Sequence, residues 1–172
     1  MIAKLPKVTD HIPDLRRYAL ALTRRGEDAE DLVQETLTRA YDRRADFKPG
    51  AAMRPWLMSI LHNLHVDGVR SRLVRIRHAA SAPANRDFAP ASQEDAVRLS
   101  EVRRAFLDLP EEQREALHLV GIEGLTYPEA SQILGVPEGT VLSRVSRARQ
   151  SLRDREHQPS RRLRVVGGSD GA

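Results

Sequence analysis

Apolar residues recur at helical spacing through the first half of the chain, at i, i+3, i+4 and i+7. This spacing predicts one helix over about residues 12–24, a second capped by Glu27 or Asp28, and a third that begins at Pro55. The residues expected to face inward are Leu15, Tyr18, Ala19 and Leu22; Ala29, Leu32, Val33, Thr36, Leu37, Ala40 and Tyr41; and Trp56, Leu57, Ile60, Leu61 and Leu64. The sequence of this half lacks the alternation typical of a β-strand, so we predict that it is helical.

The second half continues the helical pattern and adds specific start and stop signals. Pro110 opens a helix, and Gly121 and Gly124 are expected to bracket a turn. Thr126 and Glu129 have the spacing of a capping box, and Gly135 suits a left-handed helix end before the last helix. The expected inward faces are Leu99, Val102, Phe106 and Leu109; Gln113, Leu117 and Val120; and Val141, Val145, Ala148 and Leu152. A capped short helix, a tight turn and an amphipathic helix predict a helix-turn-helix.

Residues 79–95 separate the two halves and consist mainly of small and polar residues with two prolines, which cannot build a core. The predicted fold is therefore all-α, with two small helical domains joined by a flexible linker. The N-terminal domain, residues 1–78, should have three to four helices, and the C-terminal domain, residues 96–156, should have four. The basic, glycine-rich residues 157–172 are predicted to be disordered.

The composition excludes several classes of protein and points to a polyanionic partner. The 172 residues include no cysteine, which excludes disulfides, thiolate metal sites and cysteine nucleophiles. No apolar run is long enough for a membrane span or a signal peptide, so we expect a cytoplasmic protein. Residues 1–78 hold 15 basic and 10 acidic side chains and residues 139–172 hold eight and three, with net acidic sequence between them. Such segregation is typical of a nucleic-acid-binding protein, although solubility alone is an alternative explanation.

The last helix carries the strongest candidate for reading DNA bases. Opposite its apolar stripe lie Gly139, Thr140, Ser143, Ser146, Arg147 and Gln150, with Arg144 on one flank. Small or hydrogen-bonding side chains near a helix N-terminus, together with arginines, suit contacts with base edges and phosphates. Glu138 would either accept a hydrogen bond from a cytosine amino group or cap the helix. The alternative is an ordinary helical hairpin with a solvated basic face.

A second basic zone ends the third helix and contains Arg70, Arg72, Arg75 and Arg77. Four guanidinium groups could neutralise several phosphates and make binding salt-dependent. The nearby Phe47-Lys48 loop combines an aromatic and a basic group, which would suit an unstacked base, although an aromatic residue such as Phe47 is more often part of the core.

Other polar clusters carry weaker signals. His62 and His65, with Asp67 nearby, lack a clear third and fourth metal ligand on one face, so we interpret both histidines as surface or flanking residues. Glu30, Asp31 and Glu35 have no paired nucleophile and suggest an interaction surface. We therefore expect no catalytic activity, metal, cofactor or small-molecule substrate.

Taken together, the two halves resemble bacterial RNA polymerase sigma factors of the extracytoplasmic-function (ECF) group, a subfamily of the sigma-70 family. The resemblance covers about residues 10–155 and rests on four segments in order. These are Asp28-Ala29-Glu30-Asp31-Leu32-Val33-Gln34-Glu35-Thr36, Pro55-Trp56-Leu57-Met58-Ser59-Ile60-Leu61-His62-Asn63, Leu109-Pro110-Glu111-Glu112-Gln113-Arg114-Glu115-Ala116-Leu117, and Gly124-Leu125-Thr126-Tyr127-Pro128-Glu129-Ala130 continuing into residues 139–149. Leu142 departs from the family pattern, in which a basic residue is common at that position.

The resemblance implies that the chain directs promoter-specific transcription initiation by core RNA polymerase, under the control of an anti-sigma factor. It implies docking on the polymerase β′ coiled coil, with further contact to the β subunit, through Asp31, Leu32, Gln34, Glu35 and Thr38. Recognition and melting of the minus-ten promoter element are implied for Phe47, Lys48, Asn63, Asp67, Arg70, Arg72 and Arg75. Recognition of the minus-thirty-five element is implied for Glu138, Gly139, Thr140, Ser143, Arg144 and Arg147. The linker would thread toward the RNA channel of the polymerase.

Two other functions have to be distinguished from this one. A stand-alone helix-turn-helix regulator would bind an operator without polymerase, and a response regulator would need strands that the first half lacks. A helical metal-dependent hydrolase would need His62, His65 and Asp67, so a double alanine variant that retained function would exclude it.

Overall fold

The computed structural model describes residues 8–48, 50–78 and 94–157. Across these residues the chain forms α-helices and no strand, which confirms the all-α fold. A short 3-10 helix, Val8–His11, precedes the helices α1 (Ile12–Thr23), α2 (Gly26–Asp42) and α3 (Met53–His78). Then follow α4 (Glu94–Leu107), α5 (Glu111–Leu117), a π-helical turn at His118–Ile122, α6 (Tyr127–Leu134) and α7 (Glu138–His157). Of the predicted linker, residues 79–93 lie outside the described part of the chain, and Glu94 and Asp95 belong instead to the first turn of α4. Of the predicted disordered tail, residues 158–172 lie outside it, and His157 is the last residue of α7.

Helices α1, α2 and α3 pack together through their apolar stripes and form the N-terminal domain. The residues predicted to face inward are largely buried, among them Leu15, Tyr18, Val33, Leu57 and Leu61. Tyr41 is an exception: it lies near the end of α2, its exposed fraction is 63%, and the Arg44 guanidinium lies 4.5 Å above its ring. Helical spacing places Tyr41 on the apolar stripe, but the stripe extends beyond the helices that cover it.

The starts of α2 and α3 differ from the prediction. The N-cap of α2 is Arg25, whose side chain makes no capping hydrogen bond, and neither Glu27 nor Asp28 has that role. Both acidic residues lie in the first turn instead, where the helix dipole favours them. Helix α3 begins at Met53, two residues before Pro55. Pro55 still lies in the first turn, where its missing N–H has no intrahelical partner to lose.

The C-terminal domain is built around the predicted helix-turn-helix. The N–H of Glu129 donates to the Thr126 hydroxyl, and the Glu129 carboxylate accepts from the Thr126 N–H at 2.8 Å, so the capping box is present. Gly135 ends α6 in the left-handed conformation at φ 64°. Two details were wrong. Of the two glycines expected to bracket a turn, Gly121 lies inside the π-helical turn, and Gly124 alone of the pair has a positive φ. Val102 is 62% exposed although its spacing placed it inward.

The two domains pack against each other, and this domain interface is formed by α1 and α3 on one side and α5, the π-helical turn, the Glu123 loop and α6 on the other. The Tyr18 ring stacks on the His118 ring with centroids 5.2 Å apart. The buried Arg114 guanidinium donates to the carbonyls of Ala21 across the interface and of Leu109 in its own domain. We call this packed state of the two domains the closed arrangement. Within the residues described, none of the helices has the length and apolar character needed to cross a bilayer.

Candidate nucleic-acid interface

Helix α7 presents the predicted base-reading face to solvent. Val141, Val145 and Ala148 are buried and fix the rotation of the helix, so that Gly139 and Arg147 on the opposite side are exposed. The capping box fixes where α6 begins, and the left-handed Gly135 fixes where it ends and so sets the angle at which α7 leaves it. A helix held in this way can enter a major groove with its N-terminal residues forward.

Several of the predicted α7 residues already have protein partners. The Ser143 hydroxyl donates to the Thr140 carbonyl at 2.9 Å, and both side chains are partly buried. The side chain of Arg144 is only 16% exposed and pairs with Glu112 at 2.9 Å. Exposed groups next to them include Glu138 and Leu142, the latter with 54% of its surface open to solvent. Arg144 would have to leave Glu112 before it could contact a phosphate or a base.

Three of the α3 residues predicted to contact DNA share one accessible face of the helix. Asn63, Asp67 and Arg70 follow each other at i, i+4 and i+7 on α3 and are exposed or partly exposed, and Arg72 is exposed. The side chain of Arg75 lies outside the described part of the chain. Helical geometry therefore brings Asn63, Asp67 and Arg70 together, whereas Arg72 lies on the opposite side of α3, at the cleft that His65 also lines.

The two residues predicted to bind DNA in the loop before α3, Phe47 and Lys48, lie in different environments. Phe47 is partly buried against Trp56, with ring centroids 5.1 Å apart and planes tilted by 57°. Both aromatic residues pack on the hydrophobic core. Phe47 therefore lies in the environment that the alternative prediction, a core residue, gave for it. Lys48 is exposed and is available for a phosphate.

The predicted protein-binding face lies on α2. Asp31, Gln34, Glu35 and Thr38 are exposed at i, i+3, i+4 and i+7 and form one stripe. Leu32 is 9% exposed and belongs to the core of the domain. It therefore packs beneath the exposed stripe and is not part of it. The stripe carries two carboxylates, and Glu35 is only loosely paired with Arg39 at 3.9 Å.

The residues assigned to metal or surface roles lie in different environments. His62 is 6% exposed, which corrects the expectation that it lies at the surface. Its Nδ1 lies 3.1 Å from the hydroxyl of Tyr18, and burial, followed by the nearby charge of His65, lowers the pKa of His62 to about 4. Asp67 is exposed and does not join the two histidines.

Sequence reasoning missed the polar residues of the domain interface. The buried Glu123 carboxylate accepts two hydrogen bonds from the Arg17 guanidinium, each 3.2 Å, and lies 3.2 Å from Nε2 of His118. Burial raises the pKa of Glu123, but the hydrogen bonds from His118 and Arg17 outweigh it and leave the pKa below its usual value. Arg54 donates to the Glu123 backbone carbonyl. The sequence signal for these contacts is weak: Glu123 follows the largely apolar residues 119–122, whereas Arg114 lies in a polar run.

Comparison with known protein families gives two matches that divide at the predicted linker. The sigma-70 region 2 model matches residues 8–73, and the sigma-70 region 4 model matches residues 99–152. The chain is 40% identical over 141 residues to the ECF RNA polymerase sigma factor EcfG of Rhodopseudomonas palustris, which covers 82% of this chain and 78% of that protein. It is 33% identical over 148 residues to the ECF sigma factor SigM of Bacillus subtilis, which covers 83% and 88% of the two chains.

Two solved structures share both sequence and fold with the chain. The sigma factor RpoE from Bartonella quintana, in complex with the anti-sigma factor NepR, is 32% identical and superposes with a TM-score of 0.78 over 90% of this chain and 96% of that chain. CnrH, in complex with the cytosolic domain of CnrY, is 27% identical with a TM-score of 0.63, covering 89% of this chain and 86% of that chain.

Proposed function

The chain belongs to the ECF sigma factors of the sigma-70 family. On this basis we propose which surface of the chain has which role in promoter-specific transcription initiation. Sigma factors are not in general enzymes, and we propose that this chain has no catalytic activity of its own. It acts by binding core RNA polymerase and promoter DNA, and it therefore works in the cytoplasm. The observation that carries the proposal is the pair of family matches, one on each helical domain.

The C-terminal domain, predicted over 96–156, recognises the minus-thirty-five element through α7. The exposed Gly139 and Arg147 face the major groove, and Thr140, Ser143 and Arg144 flank them. Arg144 has to break its ion pair with Glu112 before it contacts DNA, so the loss of that pair reduces the contribution of Arg144 to DNA affinity. The exposed Leu142 replaces a phosphate contact with an apolar one, which suits a thymine methyl group.

The N-terminal domain, predicted over 1–78, recognises and helps to melt the minus-ten element. Asn63, Asp67 and Arg70 on the accessible face of α3 contact the DNA, together with Lys48 and the arginines that follow. The polar stripe of α2 docks on the β′ coiled coil of the polymerase through Asp31, Gln34, Glu35 and Thr38. The linker between the domains threads into the polymerase.

DNA binding and the closed arrangement exclude each other on dimensions alone. The part of the chain that the structure describes, packed compactly, has a radius of gyration of about 14 Å, and so a diameter of roughly 36 Å. Elements centred near positions −10 and −35 are roughly 85 Å apart along the duplex at about 3.4 Å per base pair. The two domains must separate to reach both, and residues 79–95 could span roughly 60 Å when fully extended.

An anti-sigma factor is the natural partner of the closed arrangement. The two solved relatives above are complexes of sigma factors with NepR and with the cytosolic domain of CnrY, and this chain superposes on the first over nine-tenths of its length. We propose that such a protein holds this chain away from polymerase until a stress or envelope signal releases it. The chain is similar to sigma factors, and this similarity does not favour the alternative function, a regulator that binds DNA without polymerase.

DNA protection with and without polymerase separates the two functions. A sigma factor is expected to protect a promoter fragment only when core polymerase is present, whereas a stand-alone regulator protects its site alone. Footprints of the free chain, core polymerase and their mixture on the same genomic fragments make the comparison. Protection by the free chain that core polymerase neither extends nor strengthens would contradict the proposal.

A further inference from the structure

One cluster of potential metal ligands spans the domain interface and plays no part in the surfaces described above. His65 lies on α3 of the N-terminal domain, while Glu111 and Glu115 lie one turn apart on α5 of the C-terminal domain. One donor atom from each residue lies within 4.8 Å of the other two. Nε2 of His65 is 3.1 Å from a carboxylate oxygen of Glu111.

Glu115 is the most deeply buried residue of this cluster. Its exposed fraction is 7%, and within the described part of the chain its carboxylate takes part in no hydrogen bond or ion pair. Burial, followed by the charge of Glu111, raises the pKa of Glu115 to about 7, and the opposing charges of Arg114 and Arg144 do not compensate. A buried carboxylate in this position gains from an added cation.

The geometry and access of the cluster suit a small divalent ion. Two ligand atoms about 2.1 Å from a tetrahedral zinc ion lie about 3.4 Å from each other, and the His65–Glu111 separation of 3.1 Å is close to that value. An imidazole with two carboxylates suits zinc and neighbouring transition metals, whereas Mg²⁺ and Ca²⁺ prefer oxygen ligands alone. A cleft of about 390 Å³ lined by His65 and Glu111 gives an ion access from solvent.

We propose that His65, Glu111 and Glu115 bind a divalent transition-metal ion that joins the two domains and stabilises the closed arrangement. The ion takes the place of the hydrogen bond between His65 and Glu111 and offsets the charge of Glu115, with solvent completing its coordination. Because its ligands come from both domains, the complete site exists only in the closed arrangement. On the proposed function, in which polymerase binds the open chain, the ion would lower the affinity for core polymerase.

Zinc binding by the whole chain tests the site directly. Calorimetry at pH 7.5 in chelator-treated buffer is expected to give one Zn²⁺ per chain. His65→Ala and Glu115→Gln, which alter opposite sides of the interface, should each weaken binding by at least about tenfold. His11→Ala is the matched control, because His11 pairs with Asp14 inside one domain, and it should bind zinc like the wild type. Absence of zinc binding by the wild type, or binding that survives in either ligand variant, would overturn the proposal.

The substitution His65→Cys adds a signal that loss of folding cannot imitate. The chain contains no other cysteine, so Co²⁺ bound to this variant should show a thiolate charge-transfer band, and Glu115→Gln in the same background should weaken its binding. If the thiol introduced at position 65 stays free in the presence of Co²⁺, the side chain at that position is not a ligand and the proposal fails.

The regulatory consequence has its own measurement. At zinc one hundred times its dissociation constant, the affinity for core polymerase should fall by up to about 100-fold in the wild type and not in His65→Ala. Equal affinity with and without zinc would remove the regulatory role. Initiation in zinc-free buffer that contains Mg²⁺ for the polymerase tests the sigma function separately, so a failure of the metal site and a failure of the proposed function can be told apart.

Discussion

The ion pair between Glu123 and Arg17 should set how firmly the two domains hold together. The Glu123 carboxylate is inaccessible to solvent and accepts two hydrogen bonds from Arg17, across the domain interface. Glu123→Gln keeps the size of the side chain and removes its charge. Hydrogen bonds to charged groups contribute about 1.5–3 kcal/mol, and because half of the Arg17 side chain is exposed, we reduce this to about 1–2 kcal/mol.

A change of about 1–2 kcal/mol corresponds to a roughly 5- to 30-fold shift toward the open chain. Since the chain has no cysteine, donor and acceptor dyes can be placed at Asp42→Cys and Gln132→Cys, both exposed. Single-molecule energy transfer then counts open and closed molecules. Across a urea series the midpoint of opening gives the ratio even where open molecules are rare in buffer.

A double-mutant cycle separates the ion pair from other effects of the substitution. Arg17→Met removes the same pair from the other domain, so the two changes together should cost less than their sum, by a coupling of about 1–2 kcal/mol. Asp108→Asn is the control, because Asp108 pairs with Arg155 within the C-terminal domain, and it should leave the closed fraction unchanged. If Glu123→Gln opens the chain no more than Asp108→Asn does, the account of the interface is wrong.

Four further substitutions test the surfaces and the fold. Arg147→Ala should weaken promoter binding by the holoenzyme by about 1–3 kcal/mol if it contacts a base edge; unchanged transcription from a mapped promoter would contradict its place in the recognition helix. Glu35→Lys reverses a charge on the exposed stripe of α2 and should lower retention by core polymerase in a pull-down, where equal retention would exclude that docking face. Thr126→Ala removes the capping box and should lower the free energy of unfolding by about 1 kcal/mol in urea, so an unchanged midpoint would argue against the cap. His62 is neutral when buried, with a pKa of about 4, and the unfolded chain takes up a proton below its ordinary pKa of about 6.5. The contribution of neutral His62 to the free energy of unfolding is therefore fully present above pH 6.5 and is lost, by up to about 3 kcal/mol, as the pH falls toward 4. His62→Asn should make the free energy of unfolding depend less on pH in this range. An identical pH dependence in both proteins would contradict this prediction.

The helix-turn-helix could be predicted from the sequence because its signals are local. A capping box at Thr126 and Glu129, a left-handed glycine at 135 and an apolar stripe on α7 each fix the backbone within a few residues. The exposed faces of α2 and α3 follow from the same periodicity, since burying one side of a helix exposes the other. Tyr41 and Val102 were misplaced because periodicity gives the direction of a side chain but not what lies opposite it.

The domain interface could not be predicted, because its polar residues are stabilised by groups far away in the sequence. Arg114 is only 1% exposed because its guanidinium donates hydrogen bonds to the backbone carbonyls of Leu109 and of Ala21, the latter 93 residues earlier in the chain. The sequence around Ala21 gives no sign of this contact. His62 can be buried because its Nδ1 forms a hydrogen bond with the Tyr18 hydroxyl. For the same reason His65 gave only a weak metal signal, since its nearest carboxylates lie on α5, about 46 residues later.

Selective initiation by purified components tests the central claim most directly. Core polymerase free of sigma factor is mixed with the chain and genomic DNA in run-off transcription, and the transcript starts are mapped. The account predicts transcripts from a small set of discrete starts that share upstream elements, which are absent when the chain is omitted. If the chain confers no selective initiation while a control sigma factor works on the same core polymerase, the account is contradicted.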